Sequence, residues 1–236
     1  MSQSGDLLVI VPSRGRPQNI ARLLDSVHAT RRAETHLHVA VDEDDEKLPQ
    51  YQAVMDKAGA DGDVLEVGPR KGLCGTTNDL AVRRAGEYPF LASLGDDHVP
   101  RTPGWDAALI RAIRDMGDTG FAYPWDGTRE DIPEAVVMSS DIVAALGWMC
   151  EPSLKHWYPD NAWADLGRGA GCLRHLRAIA VDHRNAVAAG RSDQTARDNG
   201  ESLEADRDAY WAWRAARMAD DIATIVKLRE RALQPA

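Results

Sequence analysis

Phe90-Leu91-Ala92-Ser93-Leu94-Gly95-Asp96-Asp97-His98 decides how this chain folds. A short, almost wholly apolar run reads as a strand buried on both faces, and the glycine and two aspartates stop it. A strand of that kind needs helices above and below, so its neighbours should alternate with helices. Leu7–Val11 reads as a second buried strand, stopped by Pro12 and Gly15. Ile20, Leu23, Leu24 and Val27 then recur at helical spacing, with Pro17 in the first turn. The same reading predicts strands at His36–Val41 and Val64–Val67, and helices over residues 50–57 and, after a loop from Gly68 to Gly75, over 76–85. This rhythm predicts an α/β fold with a mainly parallel sheet flanked by helices.

Further along, residues 105–116 predict a helix, 120–123 and 135–138 strands, and 139–146 a helix capped by Ser139. Residues 160–168 predict a short helix, and 178–181 a last strand running into Asp182-His183. Beyond a polar stretch, 184–200, residues 202–232 predict one long helix with Tyr210, Trp213, Ile222, Ile225 and Val226 as its apolar stripe. The 236 residues carry 28 basic and 37 acidic side chains, a formal charge of −9, which argues against broad adhesion to nucleic acid or anionic membrane. No apolar run approaches the length of a membrane span. Met1–Asp6 lacks a secretory pattern, and Cys74, Cys150 and Cys172 lack zinc-type spacing, so a reducing cytoplasm is the expected compartment.

Pro12–Arg16, Asp42–Glu46, Arg70–Gly75 and Gly95–His98 all follow strands, and in open α/β sheets ligands bind beyond those carboxyl ends. Asp96 and Asp97 suit a hard divalent cation that keeps positions open for phosphate oxygens, although Gly-Asp-Asp is also ordinary turn material. Pro12-Ser13-Arg14-Gly15-Arg16 offers backbone donors and two guanidiniums to phosphates. Asp42 offers an acceptor to a base or ribose. Lys71, Gly72 and Asn78 flank a loop able to approach a ligand closely, with Asn78 alternatively anchoring its helix. Trp125, Trp148, Trp157 and Trp163 read as packing residues first and stacking platforms second.

In this order these motifs resemble the metal-dependent glycosyltransferases of the GT-A fold, close to glycosyltransferase family 2, whose short forms occur in bacteria and their viruses. The match rests on Pro12-Ser13-Arg14 after the first strand, Asp42 closing the second, Asn78 in the helix before Gly95-Asp96-Asp97, and Pro103-Gly104-Trp105 opening a helix. It covers about residues 7–183. It implies a Rossmann-like GT-A catalytic domain over 1–183, with a nucleotide-sugar half to about 100 and an acceptor half over 101–183. Residues 184–236 would then be a linker and helical extension.

The resemblance implies a hexosyl- or pentosyltransferase that uses a nucleotide sugar, uridine diphosphate sugars being the family's commonest; one base and one displacement imply inversion at the anomeric carbon, with retention the alternative, since sequence does not show where the carboxylate stands relative to the sugar. Donor-binding residues carried over are Pro12, Ser13, Arg14, Asp42, Asn78 and Asp96, and the loop reading adds Arg16, Lys71 and Gly72. Asp97 and His183 would hold Mn²⁺ or Mg²⁺, Asp160 would act as base, and His156, Trp157 and Asn161 would form the acceptor region. Gly95 stands where the family has its first aspartate, which puts the strength of the metal site in question and leaves the ribose contact to Asp96. Two rival readings are a sugar nucleotidyltransferase, which normally opens with a Gly-x-Gly loop that this chain lacks, and a degenerate nucleotide-sugar-binding module. The acceptor reading is a protein, a glycan or hydroxymethylated phage DNA. Arg168, Arg174, Arg177, Arg184, Arg191 and Arg197 either track a phosphate backbone or pair with nearby acids.

Overall fold

The computed structural model describes residues 5–59, 62–184, 200 and 202–232. Its strands are β1 (Leu7–Ser13), β2 (Thr35–Asp42), β3 (Val64–Gly68), β4 (Phe90–Ser93), β5 (His98–Pro100), β6 (Phe121–Trp125), β7 (Val136–Ser139) and β8 (Leu173–His183). The helices are α1 (Pro17–Thr30), α2 (Leu48–Ala58), α3 (Gly72–Arg84), α4 (Trp105–Arg114), α5 (Ser140–Leu146), α6 (Pro159–Gly169), α7 (Leu203–Ala216) and α8 (Met218–Ala232). The strands form one mixed sheet in the order β3-β2-β1-β4-β7-β6-β8-β5. β3, β2, β1 and β4 run parallel, β7 runs against β4, and β5 runs against β8.

The apolar runs behave as expected of strands buried on both sides. Successive side chains point to opposite faces, so Leu8, Ile10 and Leu91 enter one core while Leu7, Val9, Val11, Phe90 and Ala92 enter the other. The first core includes Trp148 and Trp163 with the buried faces of α3, α5 and α6. The second is closed by α1 and α4, with Trp105 fully buried.

Several boundaries differ from the sequence reading because tertiary contacts override local propensity. α3 starts at Gly72, not at 76. Cys74 is fully buried and its N–H donates to the Lys155 carbonyl (3.0 Å), which draws the glycine-bearing turn into the helix. β8 starts at Leu173, because Arg174, His175 and Arg177 lie on a strand that is mostly half-buried or exposed and so lacks a strong apolar signal. β5 is three residues long and was not foreseen. The expected single C-terminal helix is broken at Arg217, whose carbonyl accepts the N–H groups of Asp220 and Asp221 (3.0 and 3.1 Å). Across the break the Trp213 indole donates to Asp221 (2.8 Å), and both side chains are buried.

α8 packs back on α5 and α6. Ile222 lies so close to the backbone of Gly169 that no side-chain carbon would fit between them. Among the described residues no helix is long and apolar enough to cross a membrane.

One buried carboxylate joins the chain across this frame. Asp106, in the first turn of α4, is fully buried and accepts from the N–H groups of Arg32 and Ala33 (3.0 Å each) and from the Thr35 hydroxyl (2.7 Å). It thereby fixes the α1–β2 connection. Asp106→Ala leaves these donors without their acceptor, Thr35 in a buried place, and should lower the unfolding free energy by about 2 kcal/mol, read from the denaturant midpoint.

Candidate active site

The carboxyl ends of β1, β2 and β4 lie together, since Ser13 is level with Val41 and Ile10 with Ser93. Past β4 the chain makes a tight turn in which His98 N–H donates to the Gly95 carbonyl (3.1 Å) and Gly95 N–H donates to His98 Nδ1 (2.8 Å). The turn gives its two aspartates different partners. Asp96 is buried and accepts from Ser13 Oγ (2.6 Å), Arg16 Nη1 (3.3 Å) and Asn19 Nδ2 (3.4 Å). Burial raises its pKa, against the pull of Arg16 and Ser13. Tyr51 completes this knot, its hydroxyl hydrogen-bonded to Ser13 Oγ (2.8 Å) and accepting from Arg16 N–H (2.7 Å).

Asp97 meets the end of β8. Its Oδ1 lies 3.4 Å from His183 Nε2 and 3.9 Å from His98 Nδ1. On its other nitrogen, Nδ1, His183 contacts Glu134 Oε2 at 2.5 Å. Burial pushes the Asp97 carboxyl up, but the bond to His183 and the neighbouring charges win and hold it down at about 2. Burial likewise opposes protonation of His183, and Asp97 and Glu134 overcome it, raising its pKa to about 10. His98 goes the other way, lowered by burial and by the charge of His183 to about 4.

Asp97, His98 and His183 each bring a ligand atom within 4.8 Å of the others. Not all three suit one ion. His98 and His183 sit opposite each other on antiparallel β5 and β8 and stack, centroids 4.4 Å apart and planes 11° from parallel. Imidazole lone pairs lie in the ring plane, so two near-parallel rings cannot both aim at one cation, and His98 Nδ1 already accepts Gly95 N–H. Asp97 and His183 remain. A carboxylate oxygen and an imidazole nitrogen each about 2.1 Å from one ion stand about 3.0–3.4 Å apart, which the observed 3.4 Å fits. Glu134 on the far nitrogen is the usual outer-shell partner of a metal-binding histidine. Asp97 and His183 each keep 17 % exposure, so the pair is open on one side.

The other residues singled out from the sequence fall into two groups. On the β2 side, Arg14 donates to Asp42 (2.8 Å) and Asp44 (2.5 Å), and Arg70 Nε lies 3.9 Å from Asp42. Pro12, half-buried, is level with Ala40 of β2. Lys71 pairs with Asp79 (2.8 Å), and both border a cleft of about 180 Å³ that also reaches Asp42 and Gly68. Gly72 opens α3 at φ 71°, where a side chain would be strained. Asn78 does not line this cleft. Its amide donates to the Cys150 carbonyl (2.8 Å) and accepts from the N–H groups of Met149 and Cys150 (2.8 and 2.7 Å), which is the anchoring alternative. A larger cleft of about 370 Å³, between α1 and β5, contains none of the metal, donor or base candidates.

On the β8 side, Asp160 lies in the first turn of α6, its Oδ1 accepting from Asn161 N–H (2.9 Å). Burial raises its pKa to about 6, and the charge of Glu134 adds to the rise. Glu134 thus acts on both His183 and Asp160. His156 is lowered to about 4, chiefly by burial, and it feels the charges of Arg16 and Asp97. Trp157 packs edge-on against His156 and is 37 % exposed.

The loop carrying these groups is tied to α7. Asp206, 1 % exposed, accepts from the N–H groups of Lys155 (3.0 Å), His156 (2.9 Å) and Trp157 (2.8 Å). Tyr158, in the left-handed region at φ 72°, stacks on Tyr210, whose hydroxyl donates to Asp165 (2.6 Å).

Glu134, Asp206, Tyr51 and His98 were missed from the sequence. Only His98 had a local signal, its place beside the aspartates. Of the arginine run, Arg168 donates to the Asp131 carbonyl and Arg177 pairs with Glu130 (2.7 Å), while Arg191 and Arg197 lie outside the described residues, as does most of the expected 184–200 linker.

No family model matches the chain, and no curated protein matches its sequence. Solved structures do match. S. aureus TarS 1–349 in complex with UDP superposes with TM-score 0.59 at 14% identity, over 75% of this chain. The chain spans 60% of that fragment's length. The mannosyltransferase PcManGT from Pyrobaculum calidifontis, in complex with GDP-Man and Mn²⁺, gives 0.60 at 11% identity over 98% of this chain and 76% of its own. Glucosyl-3-phosphoglycerate synthase from Mycobacterium tuberculosis, with Mn²⁺ and UDP among its ligands, gives 0.54 at 12% over 86% of this chain and 80% of its own. The fold is therefore GT-A, as the sequence motifs implied.

The cap on the 155–157 loop yields a direct expectation. Asp206→Ala should speed amide hydrogen exchange at Lys155, His156 and Trp157 by at least tenfold while exchange in β1 stays slow, read by NMR or mass spectrometry.

Proposed function

We propose that this chain is a glycosyltransferase that moves a sugar from a nucleoside-diphosphate donor to an acceptor hydroxyl. The observation that carries this reading is the Asp97–His183 pair, 3.4 Å apart at the carboxyl end of β4 on a GT-A fold, with Glu134 behind the histidine. A divalent cation bound there supplies Lewis-acid neutralisation of the departing diphosphate. An imidazole in the ligand set favours Mn²⁺ over Mg²⁺, which prefers oxygen alone. His183 must lose its Nε2 proton to bind a cation, so affinity should strengthen as pH rises.

In this reading residues 1–100 serve the donor and 101–183 the acceptor, while 184–236 form an extension that holds the acceptor loop. Arg14, Arg16 and Lys71 bring positive charge to the diphosphate end, with Pro12, Ser13 and Gly72 shaping the backbone around it. Asp96 is the ribose contact and Asp42 accepts from the base or the ribose. Asp160 takes the proton from the attacking hydroxyl, held in the first turn of α6 beside Asn161 and just beyond the loop that Asp206 ties down. One base and one displacement invert the anomeric carbon. Trp157 and His156 offer the acceptor a flat, half-apolar wall.

The fold's solved relatives include complexes with UDP and with GDP-mannose, so both nucleotide classes belong in a donor panel. The Arg177–Glu130 pair and the net charge of −9 favour a glycan, protein or small-molecule hydroxyl over DNA. Hydroxymethylated duplex DNA is the contrasting acceptor. Three free, buried cysteines suit a reducing, cytoplasmic setting.

Incubation with the donor panel and Mn²⁺ should release nucleoside diphosphate, and EDTA or Asp97→Ala should reduce release to background. No release from any donor, with any acceptor, would defeat the reading. Asp160→Asn should lower transfer by about 10²–10⁴-fold with donor affinity retained.

With its pKa at about 6, Asp160 is a base only above that value, so with Mn²⁺ kept saturating at every pH kcat/KM should fall about tenfold per pH unit below 6. The same shift has a stability sign. The folded-state value lies above the ordinary 3.8, so ionisation opposes folding fully above pH 6 and not at all well below 3.8. Asp160→Asn should therefore raise the melting temperature at pH 8 and lose that advantage at pH 3.5.

A further inference from the structure

Gly95 stands where the resemblance puts the first of two aspartates, and a missing carboxylate there reads as damage to cation binding. The local geometry says otherwise. Gly95 is not among the glycines with positive φ, so its backbone would accept a side chain, and only space excludes one. A Cβ at this position would come 2.8 Å from Asp97 Oδ1, 2.9 Å from His98 Nδ1 and 3.3 Å from His98 Cε1. That space is shared by the Asp97 carboxylate and by the ring of His98. His98 is 3 % exposed, its Nδ1 accepts the Gly95 N–H at 2.8 Å, and its ring lies flat against His183.

We propose that Gly95, His98 and Glu134 are positioning residues for the cation site, the His98 ring having taken part of the space of the absent aspartate side chain in order to fix the plane of His183. The inference rests on the reading of Asp97 and His183 as the cation's ligands. An imidazole ring has two side-chain torsions to restrain. Glu134 fixes where Nδ1 of His183 points, and the stack on His98 fixes the tilt, which leaves Nε2 3.4 Å from Asp97 Oδ1. His98 suits the task because its Nδ1 accepts a hydrogen bond and so carries no proton beside the cation. A glycine at 95 is then a requirement of the site.

The probe is Mn²⁺ itself, with and without UDP or GDP, bound to the full chain and followed by loss of the free-ion EPR signal, with melting curves to establish folding. Asp97→Ala should abolish binding. Gly95→Asp should weaken Mn²⁺ binding about tenfold or more, although it adds a carboxylate. His98→Ala should weaken it about five- to tenfold, and Glu134→Gln by about 10–100-fold, the range for outer-shell partners. The double variant Gly95→Asp/His98→Ala should bind more tightly than Gly95→Asp alone, because two of the three close contacts of a Cβ at 95 are with the ring.

A folded Gly95→Asp variant that binds Mn²⁺ as well as or better than wild type overturns the proposal, as does a double variant no better than the single. If Gly95→Asp does not fold, His98→Ala decides, and unchanged affinity there rejects the idea. Wild type without measurable Mn²⁺ binding under any of these conditions also rejects it. Mn²⁺ binding retained by Asp97→Ala instead strikes the ligand assignment beneath it.

Discussion

One imidazole contacted by a carboxylate at each nitrogen organises this molecule. His183 belongs to the end of β8, Asp97 to the turn between β4 and β5, and Glu134 to the segment ahead of β7. They meet because β8 lies between β6, which it joins in parallel, and β5, which it joins in the opposite sense. Two carboxylates around one histidine leave an excess negative charge even when the ring is protonated, and Asp160 adds to it when ionised. Within it Asp97 and His183 hold each other charged, and Arg16 adds positive charge near Asp97. The same charge excess helps keep Asp160 able to hold or release a proton near neutrality.

The half of the fold built on β1 to β4 was legible because its central strands are apolar on both faces, a pattern that helices and surface strands do not share. Where the sequence reading slipped, a contact between distant segments had overruled local preference. The buried Cys74 drew the turn at 72–75 into α3, and Arg217 ended a helix whose apolar stripe ran on without interruption. β8 was cut short by its own arginines, because half of it faces solvent and cannot look like a buried strand.

The site was legible in a different way. Asp97 and His183 are 86 residues apart, and nothing in their spacing implies contact; the ordered motifs suggested it and the fold brings them together. Glu134 and Asp206 could not be read at all. Each is one acid in a polar stretch. What sets Asp206 apart is three backbone N–H groups some fifty residues upstream, and backbone donors leave no mark in a sequence. Gly95 is the instructive case, since its meaning depends on which ring lies against it.

Asp206 also imposes an order of events. Chains emerge from the ribosome amino end first and domains begin to fold as they appear. The groups around Asp97 are all made by residue 183, whereas the loop before Asp160 waits for a carboxylate more than twenty residues further on. On the function proposed above, the residues assigned to the donor are all synthesised before the one that braces the acceptor loop. Competence to complete the reaction arrives only with the last helices.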